Sequence, residues 1–274
     1  MRDGIANDPA VIAEFLTDFI SRQLSLAGFR RLVAGVSGGV DSAVVCFLAV
    51  KAIGKDNVVG VVMPYRLSSK ENMADAEGLI ALLGIKKHVV DISVPVDHYF
   101  QKFPEADRVR RGNKMARERM SVLYDISALE KALVVGTSNK SEILLGYGTI
   151  FGDLACALNP IGDLYKTQVR ELARFLGVPE GIIAKKPSAD LYAGQSDEGE
   201  LGFSYEQVDE LLYLLFEKRI SHAECEKKGF DRGMIEHVMH LYNNNRFKGS
   251  PPVTARIADL REKPDSRITP DGGK

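Results

Sequence analysis

The sequence has few cysteines, almost no net charge and no long apolar run, and each absence excludes a class of protein. The three cysteines, Cys46, Cys156 and Cys225, are an odd number at wide spacing, which excludes a disulfide framework and a CxxC metal or redox site. The 36 basic and 37 acidic residues leave a formal net charge of −1, so nothing draws the chain as a whole to nucleic acid. We therefore expect no nucleic-acid partner.

The distribution of apolar residues also bears on location and size. No window of about 18 apolar residues is available to span a bilayer, and the N-terminus lacks the apolar core of a signal peptide. We therefore expect a cytoplasmic protein with no membrane partner. At 274 residues, 45% of them hydrophobic, the chain can bury one sizeable core, and nothing marks a long linker. A single domain over residues 1–274 is expected.

Short apolar runs alternate with amphipathic segments in the first two thirds of the chain. We predict strands at 31–36, 58–63, 88–92 and 132–137, and helices at 9–27, 42–50, 69–83 and 113–131. Strands separated by helices predict an α/β fold, with a Rossmann-like parallel sheet covered by helices on both faces. Beyond residue 166 the pattern is helical, with helices at 167–176, 205–216 and 232–243. We interpret residues 185–202 as a mobile lid and expect the last residues of the Pro-rich, charged tail from residue 250 to be frayed.

A run of small residues follows the first predicted strand. It reads Gly35-Val36-Ser37-Gly38-Gly39-Val40-Asp41-Ser42. Glycines let a ligand approach the main chain, and the first NH groups of the following helix favour an anion. The spacing is that of neither a Walker A loop nor a G-x-G-x-x-G loop. We predict a polyphosphate site here; the alternative is a simple helix start capped by Asp41 or Ser42.

Two other segments also follow strand ends. They are residues 63–66 and 137–142. Ligands of parallel sheets bind outside the carboxyl ends of the strands. We therefore expect these segments and the run at 35–42 to share one rim that carries the active site.

The hexapeptide S-G-G-V-D-S resembles the pyrophosphate loop (PP-loop) of the ATP pyrophosphatases. These enzymes cleave ATP between its α and β phosphates to adenylylate a substrate, and they include GMP synthetases, asparagine synthetases, tRNA-thiolating enzymes and NAD synthetases. The loop alone does not choose among them. The other segments resemble NAD synthetases, in order along residues 30–252, and lie at 112–120, 136–142, 145–153, 163–167, 186–191 and 195–202.

The resemblance implies a fold like that of the adenine nucleotide alpha hydrolases and a two-step reaction. In the first step, the nicotinate carboxylate of deamido-NAD attacks the α-phosphorus of ATP and pyrophosphate leaves. In the second, ammonia attacks the acyl adenylate, giving NAD and AMP. The resemblance also implies Mg²⁺ and a homodimer. No room is expected for a glutaminase domain, so ammonia is the expected nitrogen donor.

The resemblance assigns site residues by motif. Metal ligands match Asp41 and Glu142, and catalytic roles match Asp153, as a base toward ammonium, and Lys166. ATP contacts match the eight residues of the run at 35–42 together with Arg66, Thr137, Lys166 and Ser188, and deamido-NAD contacts match Asn113, Arg117, Arg246 and Lys248. Two alternatives stay open: Glu142 as a first-turn acid favoured by the helix dipole, and Lys166 as an ordinary surface lysine.

The chain departs from the family pattern at several positions. Ile150 and Ala157 replace a lysine and an acid associated with deamido-NAD, and Arg246-Phe247 replaces a His-Lys pair. Two rival functions remain. One is a GMP-synthetase-like or tRNA-modifying enzyme, although paired cysteines typical of several thiolating relatives are missing. The other is a nucleotide-binding protein without catalysis, which the presence of all the expected charged residues disfavours.

Overall fold

The sheet has four strands, and every neighbouring pair is parallel. The computed structural model describes residues 8–188, 190, 192, 195–250 and 252–255. The strands are β1 (Arg31–Gly35), β2 (Val58–Val62), β3 (Lys86–Val89) and β4 (Ala132–Val135), in the order β3-β2-β1-β4. In the register, Leu32 lies opposite both Val58 and Leu133. The predicted parallel sheet is confirmed.

Helices connect the strands and make up the rest of the fold. Within the described ranges they are α1 (Pro9–Leu26), α2 (Val40–Ile53), α3 (Lys70–Leu83), α4 (Ser93–Phe100), α5 (Arg108–Glu130), α6 (Lys140–Leu145), α7 (Lys166–Leu176), α8 (Glu180–Ile183), α9 (Asp197–Leu201), α10 (Tyr205–Leu212), α11 (His222–Lys227) and α12 (Arg232–Asn245). No helix of the described part is long and apolar enough to cross a bilayer.

Alternate residues of the central strands point to opposite faces of the sheet, and each face is covered by helices. Leu32 and Ala34 pack with buried residues of α1, α2 and α7, whereas Val33 packs with buried residues of α4 and α5. Strands buried on both faces read as continuous apolar runs, which is why β1 and β2 were recognisable from sequence. The predicted arrangement of helices on both faces is confirmed.

The helical C-terminal part has an apolar cluster of its own. Leu145 of α6 and Tyr165, just before α7, pack there against α10, α11 and α12, including Leu211, Cys225 and Val238. The end of α6 and the start of α7 therefore pack against this helical layer. The expected helical C-terminal part is confirmed.

Several element boundaries differ from the predictions, because side-chain caps decide them. The third strand ends at Val89 rather than at residue 92, since the Asp91 carboxylate accepts a 2.6 Å hydrogen bond from Ser93 NH and turns the chain into α4. Helix α5 begins at Arg108, five residues early, because Asp107 caps it. Ser196 caps α9 inside the segment interpreted as a lid. Residues 189, 191, 193 and 194 of that segment, and most of the tail, lie outside the described residues.

Candidate active site

A large cavity opens at the carboxyl ends of the strands. Its volume is about 690 Å³, and its walls include residues that follow β1, β2 and β4. The residues from Ser37 to Ser42 except Gly38, together with Pro64, Thr137 and Glu142, line it. The structure therefore brings the three predicted rim segments to one site. Arg66 is the exception: it is not among the described lining residues, and it pairs with Asp97 at 3.2 Å on the surface.

The loop after β1 is built to hold an anion. Helix α2 starts at Val40, its N-cap is Gly39, and no side chain caps it. Gly38 has a φ of +80°, and a Cβ there would lie 2.2 Å from the backbone oxygen of Asn72. Only glycine fits this turn against α3. The first NH groups of α2 lie at the cavity wall, where they could donate hydrogen bonds to a phosphate.

Lys185, in the segment after α8, forms hydrogen bonds with this loop and with α3. Its ammonium donates to the carbonyl oxygen of Gly38 at 3.4 Å, to Asn72 Oδ1 at 2.7 Å and to the carboxylate of Asp75. The side chain also lines the cavity. A cation therefore lies beside the predicted phosphate site, although no motif had marked Lys185.

Two carboxylates and one ammonium meet between the ends of β1 and β4. Lys166 Nζ lies 2.5 Å from Asp41 Oδ2 and 3.2 Å from Glu142 Oε1. Asn139 donates from its side-chain amide to Asp41 Oδ1 at 3.0 Å. Lys166 is 2% exposed, so it is not the ordinary surface lysine of the alternative interpretation. Glu142 does lie in the first turn of α6, and it also faces the cavity.

Burial and neighbouring charges shift the pKa values of Glu142 and Lys166. Burial raises the pKa of Glu142 against the opposing charge of Lys166, and the carboxylates of Asp41 and Asp197 add to the rise. Burial alone would lower the pKa of Lys166, but Asp41 and Glu142 raise it above its ordinary value. The pKa of Glu142 rises because another negative charge is unfavourable beside Asp41 and Asp197, and a cation bound to these carboxylates would relieve this.

Magnesium fits this donor set. Among the described residues, no group of three or more His, Cys, Asp or Glu side chains is arranged to hold a metal ion alone. Mg²⁺ needs fewer protein ligands, because it is usually bound by one or two carboxylates together with substrate phosphates. Asp41 and Glu142 offer hard carboxylate oxygens next to the anion-binding loop. The residues present are thus suitable for a metal that arrives with a nucleotide.

Asp153 lines another part of the cavity. Its Oδ1 accepts a 2.7 Å hydrogen bond from Thr149 NH, and solvent reaches the residue. The protein atoms around it partly desolvate the carboxylate and raise its pKa, while hydrogen bonds from the main chain and Thr149 oppose the rise. The half-buried Arg119 lines the same cavity and donates to Met63 O at 3.1 Å. An elevated carboxylate pKa suits a proton acceptor.

The residues matched to deamido-NAD divide into two groups. Asn113 and Lys248 line the cavity; Asn113 Oδ1 accepts from the Thr149 hydroxyl at 2.7 Å, and Lys248 Nζ donates to Gly146 O at 2.9 Å. Arg117 and Arg246 are exposed and are not among the described lining residues. The Arg117 guanidinium donates to the carbonyl oxygen of Ile150, one of the departures noted above, at 3.3 Å.

The segment interpreted as a lid contributes to the cavity wall. Ser188, Asp197 and Glu200 line it, and the Glu200 carboxylate accepts hydrogen bonds from the hydroxyls of Tyr147 and Tyr192. Sequence reasoning had singled out only Ser188 among them. The family-like string at 195–202 was the signal that could have drawn attention to Asp197 and Glu200.

Fold and site together define a class. The parallel sheet has a glycine-rich loop after its first strand, followed by a helix without a side-chain cap, and a carboxylate-lysine cluster at the adjacent strand end. This is the architecture of a nucleotide-binding PP-loop protein. A profile of the NAD synthase family matches residues 12–252. The chain belongs to that family.

Individual relatives agree with this assignment. The NH(3)-dependent NAD(+) synthetase of Chlorobium phaeobacteroides is 49% identical over 264 residues, which cover 96% of this chain and 95% of the relative. Among solved structures, the NH3-dependent NAD synthetase of Campylobacter jejuni, in complex with nitrate, is 38% identical with a TM-score of 0.78, covering 91% of this chain and 100% of that one. NMN synthetase of Francisella tularensis is 30% identical with a TM-score of 0.81, covering 91% and 99%.

Proposed function

We propose that this chain is an enzyme that amidates deamido-NAD to NAD with ammonia, at the expense of ATP. An acyl adenylate is the intermediate, and AMP and pyrophosphate are the other products. The observation that carries the proposal is the cluster of Asp41, Glu142 and Lys166 beside an uncapped phosphate loop. The family and the names of relatives that share about half of the sequence support the choice of substrates.

In the first step, ATP lies along the rim with its phosphates on the loop at 35–42. The NH groups at the start of α2 donate to the β and γ phosphates. Thr137 and Ser188 line other parts of the cavity wall. Lys166 donates to the departing pyrophosphate, where preorganised positive charge has its greatest effect. Arg66 would reach the nucleotide only by leaving Asp97, so its proposed contact is the least supported by the geometry.

We assign Asp41 and Glu142 as the metal ligands. These carboxylates would hold Mg²⁺ together with substrate phosphates, and the ion would supply positive charge toward the leaving pyrophosphate. Asn139 donates hydrogen bonds to both carboxylates and so orients them, and Lys166 lies between them.

In the second step, Asp153 attracts ammonium and accepts its proton. Ammonium prevails at neutral pH, and only the free amine attacks the acyl adenylate. The raised pKa of Asp153 brings its proton affinity closer to the working pH, which favours general-base catalysis. We assign Asn113 and Lys248 to the binding of deamido-NAD. Arg117 and Arg246 are assigned to its more distant part, outside the described wall.

The proposal extends to assembly and location. A homodimer is supported by apolar side chains that α5 leaves in solvent, among them Val109, Tyr124 and Leu129. A cytoplasmic location is supported by Cys46, Cys156 and Cys225, all of which are free thiols, as in a reducing compartment. Sedimentation and cell fractionation test these two points independently of the reaction.

Pyrophosphate release tests the reaction itself. The purified chain should release pyrophosphate only when ATP, Mg²⁺ and deamido-NAD are all present, and NAD should appear only when ammonium is added. Nicotinate mononucleotide is the comparison substrate, because one solved relative is named an NMN synthetase. Faster amidation of the mononucleotide would correct the substrate. Release that needs guanine nucleotide precursors or tRNA would refute the proposal, and glutamine serving as well as ammonium would refute the nitrogen donor.

A further inference from the structure

The N-terminal end of α7 is held by a residue from another helix. Lys166 is the first residue of α7, and Tyr165 at the N-cap offers no side-chain cap. The NH groups of Lys166 and Thr167 therefore need acceptors from elsewhere. Lys166 NH donates to Ser141 Oγ at 3.0 Å, and Thr167 NH donates to Asp209 Oδ2 at 2.9 Å.

Asp209, on α10, accepts hydrogen bonds from both Ser141 and Thr167. Its Oδ1 accepts from the Ser141 hydroxyl at 2.5 Å, and its Oδ2 also accepts from the Thr167 hydroxyl at 2.8 Å. Asp209 and Ser141 are both 0% exposed. A hydroxyl that receives the Lys166 NH has its own proton free to donate, so the donor roles run in one direction, from Lys166 through Ser141 to Asp209.

The same carboxylate therefore reaches both helices that carry the reacting side chains. Ser141 precedes Glu142 on α6, and Thr167 follows Lys166 on α7. We propose that Asp209 is a positioning residue, which caps α7 from α10 and thereby fixes where Lys166 and Glu142 present their charges. This inference rests on the proposed function for its catalytic consequence, and on the hydrogen bonds alone for its structural one.

An asparagine at this position fits the space but not the hydrogen bonds. If its oxygen keeps the bond from Ser141, its NH₂ group faces the Thr167 NH, and two donors oppose each other. The start of α7 then loses one of its acceptors, and Lys166 moves relative to Asp41. A displacement of about 1 Å in a reacting group costs on the order of 100-fold in rate.

Helix α10 also offers a matched control. Glu206 pairs with Arg170 of α7 at 2.5 Å, but its side chain is 62% exposed and lies outside the described cavity wall. Glu206→Gln removes a link between the same two helices without touching the start of α7. Because the Glu206 carboxylate is mostly exposed, its pairing with Arg170 should contribute little to stability, so this variant should keep the activity of the parent.

Hydrogen exchange and a double-mutant cycle test the proposal. Asp209→Asn should strongly lower the protection of the Thr167 amide, whose acceptor it removes, and Glu206→Gln should keep that protection. The kcat of pyrophosphate release should fall roughly 10- to 100-fold in Asp209→Asn, with the KM for deamido-NAD within about twofold of the parent. In a Lys166→Gln background, Asp209→Asn should have a clearly smaller further effect than in the parent, because the part that acts through Lys166 is already lost.

The outcomes separate this inference from the proposed function. A parent chain without pyrophosphate release refutes the proposed function, and the exchange measurement still decides whether Asp209 caps α7. Retained amide protection, or equal rate losses in the two backgrounds, overturns the positioning role. If Asp209→Asn does not fold, Ser141→Ala takes its place, because it removes the acceptor of Lys166 NH; full protection of that amide in Ser141→Ala overturns the proposal as well.

Discussion

The side-chain amide of Asn139 donates a 3.0 Å hydrogen bond to Asp41 Oδ1 and so joins the loop after β1 to the loop after β4. The same side chain caps α6, since its Oδ1 accepts a hydrogen bond from Glu142 NH at 3.0 Å. The main-chain NH of Asn139 donates to Glu142 Oε2 at 3.2 Å. One fully buried residue thus orients both carboxylates that we assign to the metal.

Two substitutions of Asn139 should separate its capping role from its contact with Asp41. Serine is a good N-cap but too short to reach Asp41, whereas alanine does neither. Asn139→Ala should lower the stability by about 1 kcal/mol relative to Asn139→Ser. Both should raise the Mg²⁺ concentration needed for half-maximal pyrophosphate release. Thermal unfolding and a Mg²⁺ titration measure the two effects; an unchanged Mg²⁺ dependence in Asn139→Ser would contradict the orienting role.

Replacement of Asp153 should divide the two chemical steps. Asp153→Asn keeps an acceptor for Thr149 NH but cannot take a proton from ammonium. Amide formation should fall roughly 100- to 10,000-fold, the range for loss of a general base, while pyrophosphate release changes little. Rapid-quench measurement of pyrophosphate and NAD in one turnover tests this. Equal loss in both steps would remove Asp153 from the role of base.

The same substitution should stabilise the protein at neutral pH. The folded structure raises the pKa of Asp153, so the unfolded chain ionises first as the pH rises, and stability falls between the two pKa values. Asp153→Asn removes this loss. Its melting temperature should exceed that of the parent at pH 7, and the difference should shrink below the ordinary aspartate pKa of about 4. A lower melting temperature at pH 7 would show that the carboxylate stabilises the fold.

The two glycines of the phosphate loop should respond differently to alanine. At Gly38 a Cβ would lie 2.2 Å from Asn72 O and the φ is +80°, whereas at Gly39 it would lie 3.3 Å from Ser37 Oγ with a φ of −94°. Gly38→Ala forces the loop away from α3, and the backbone strain alone costs about 1–3 kcal/mol. It should weaken ATP binding in calorimetry far more than Gly39→Ala. Similar affinities would mean that the loop relaxes freely.

The predictable parts of the site were those set by local sequence. The turn at Gly38 and the start of α2 follow from the small residues themselves, and β1 and β2 from their apolar runs. The proximity of Asp41 and Glu142 was predictable through motif resemblance, because each lies in the first turn of the helix that follows a strand.

Contacts between distant segments were not predictable. Lys185 contacts Gly38, 147 residues away, and Asp209 contacts Ser141, 68 residues away; no local pattern marks the lysine as partly buried or the aspartate as buried. Arg66 was expected to contact ATP; in the structure its guanidinium pairs with Asp97 of α4 at the surface, and it does not line the described cavity wall. Tertiary charge pairing decided these cases, and periodicity carries no information about it.

A buried glutamate near the amino ends of the strands, away from the cavity, should control the stability of the protein in acid. Glu130, at the end of α5, is 5% exposed and lies 2.6 Å from Lys86 Nζ and 2.8 Å from His88 Nε2. Hydrogen bonds from Lys86 and His88 lower its pKa. The resulting stability is present above the ordinary glutamate pKa of about 4.3 and is lost as the pH falls through the lower folded value.

Glu130→Gln should therefore melt below the parent at pH 7, by roughly 2–6 °C, and the difference should narrow as the parent's own carboxylate becomes protonated. Glu77→Gln is the matched control, because the Glu77–Lys87 pair lies close by on β3 and α3 but is exposed on both sides, and such pairs contribute little. Calorimetry from pH 7 to pH 3 measures both variants. A constant difference across that range would mean that Glu130 acts through packing rather than through its charge.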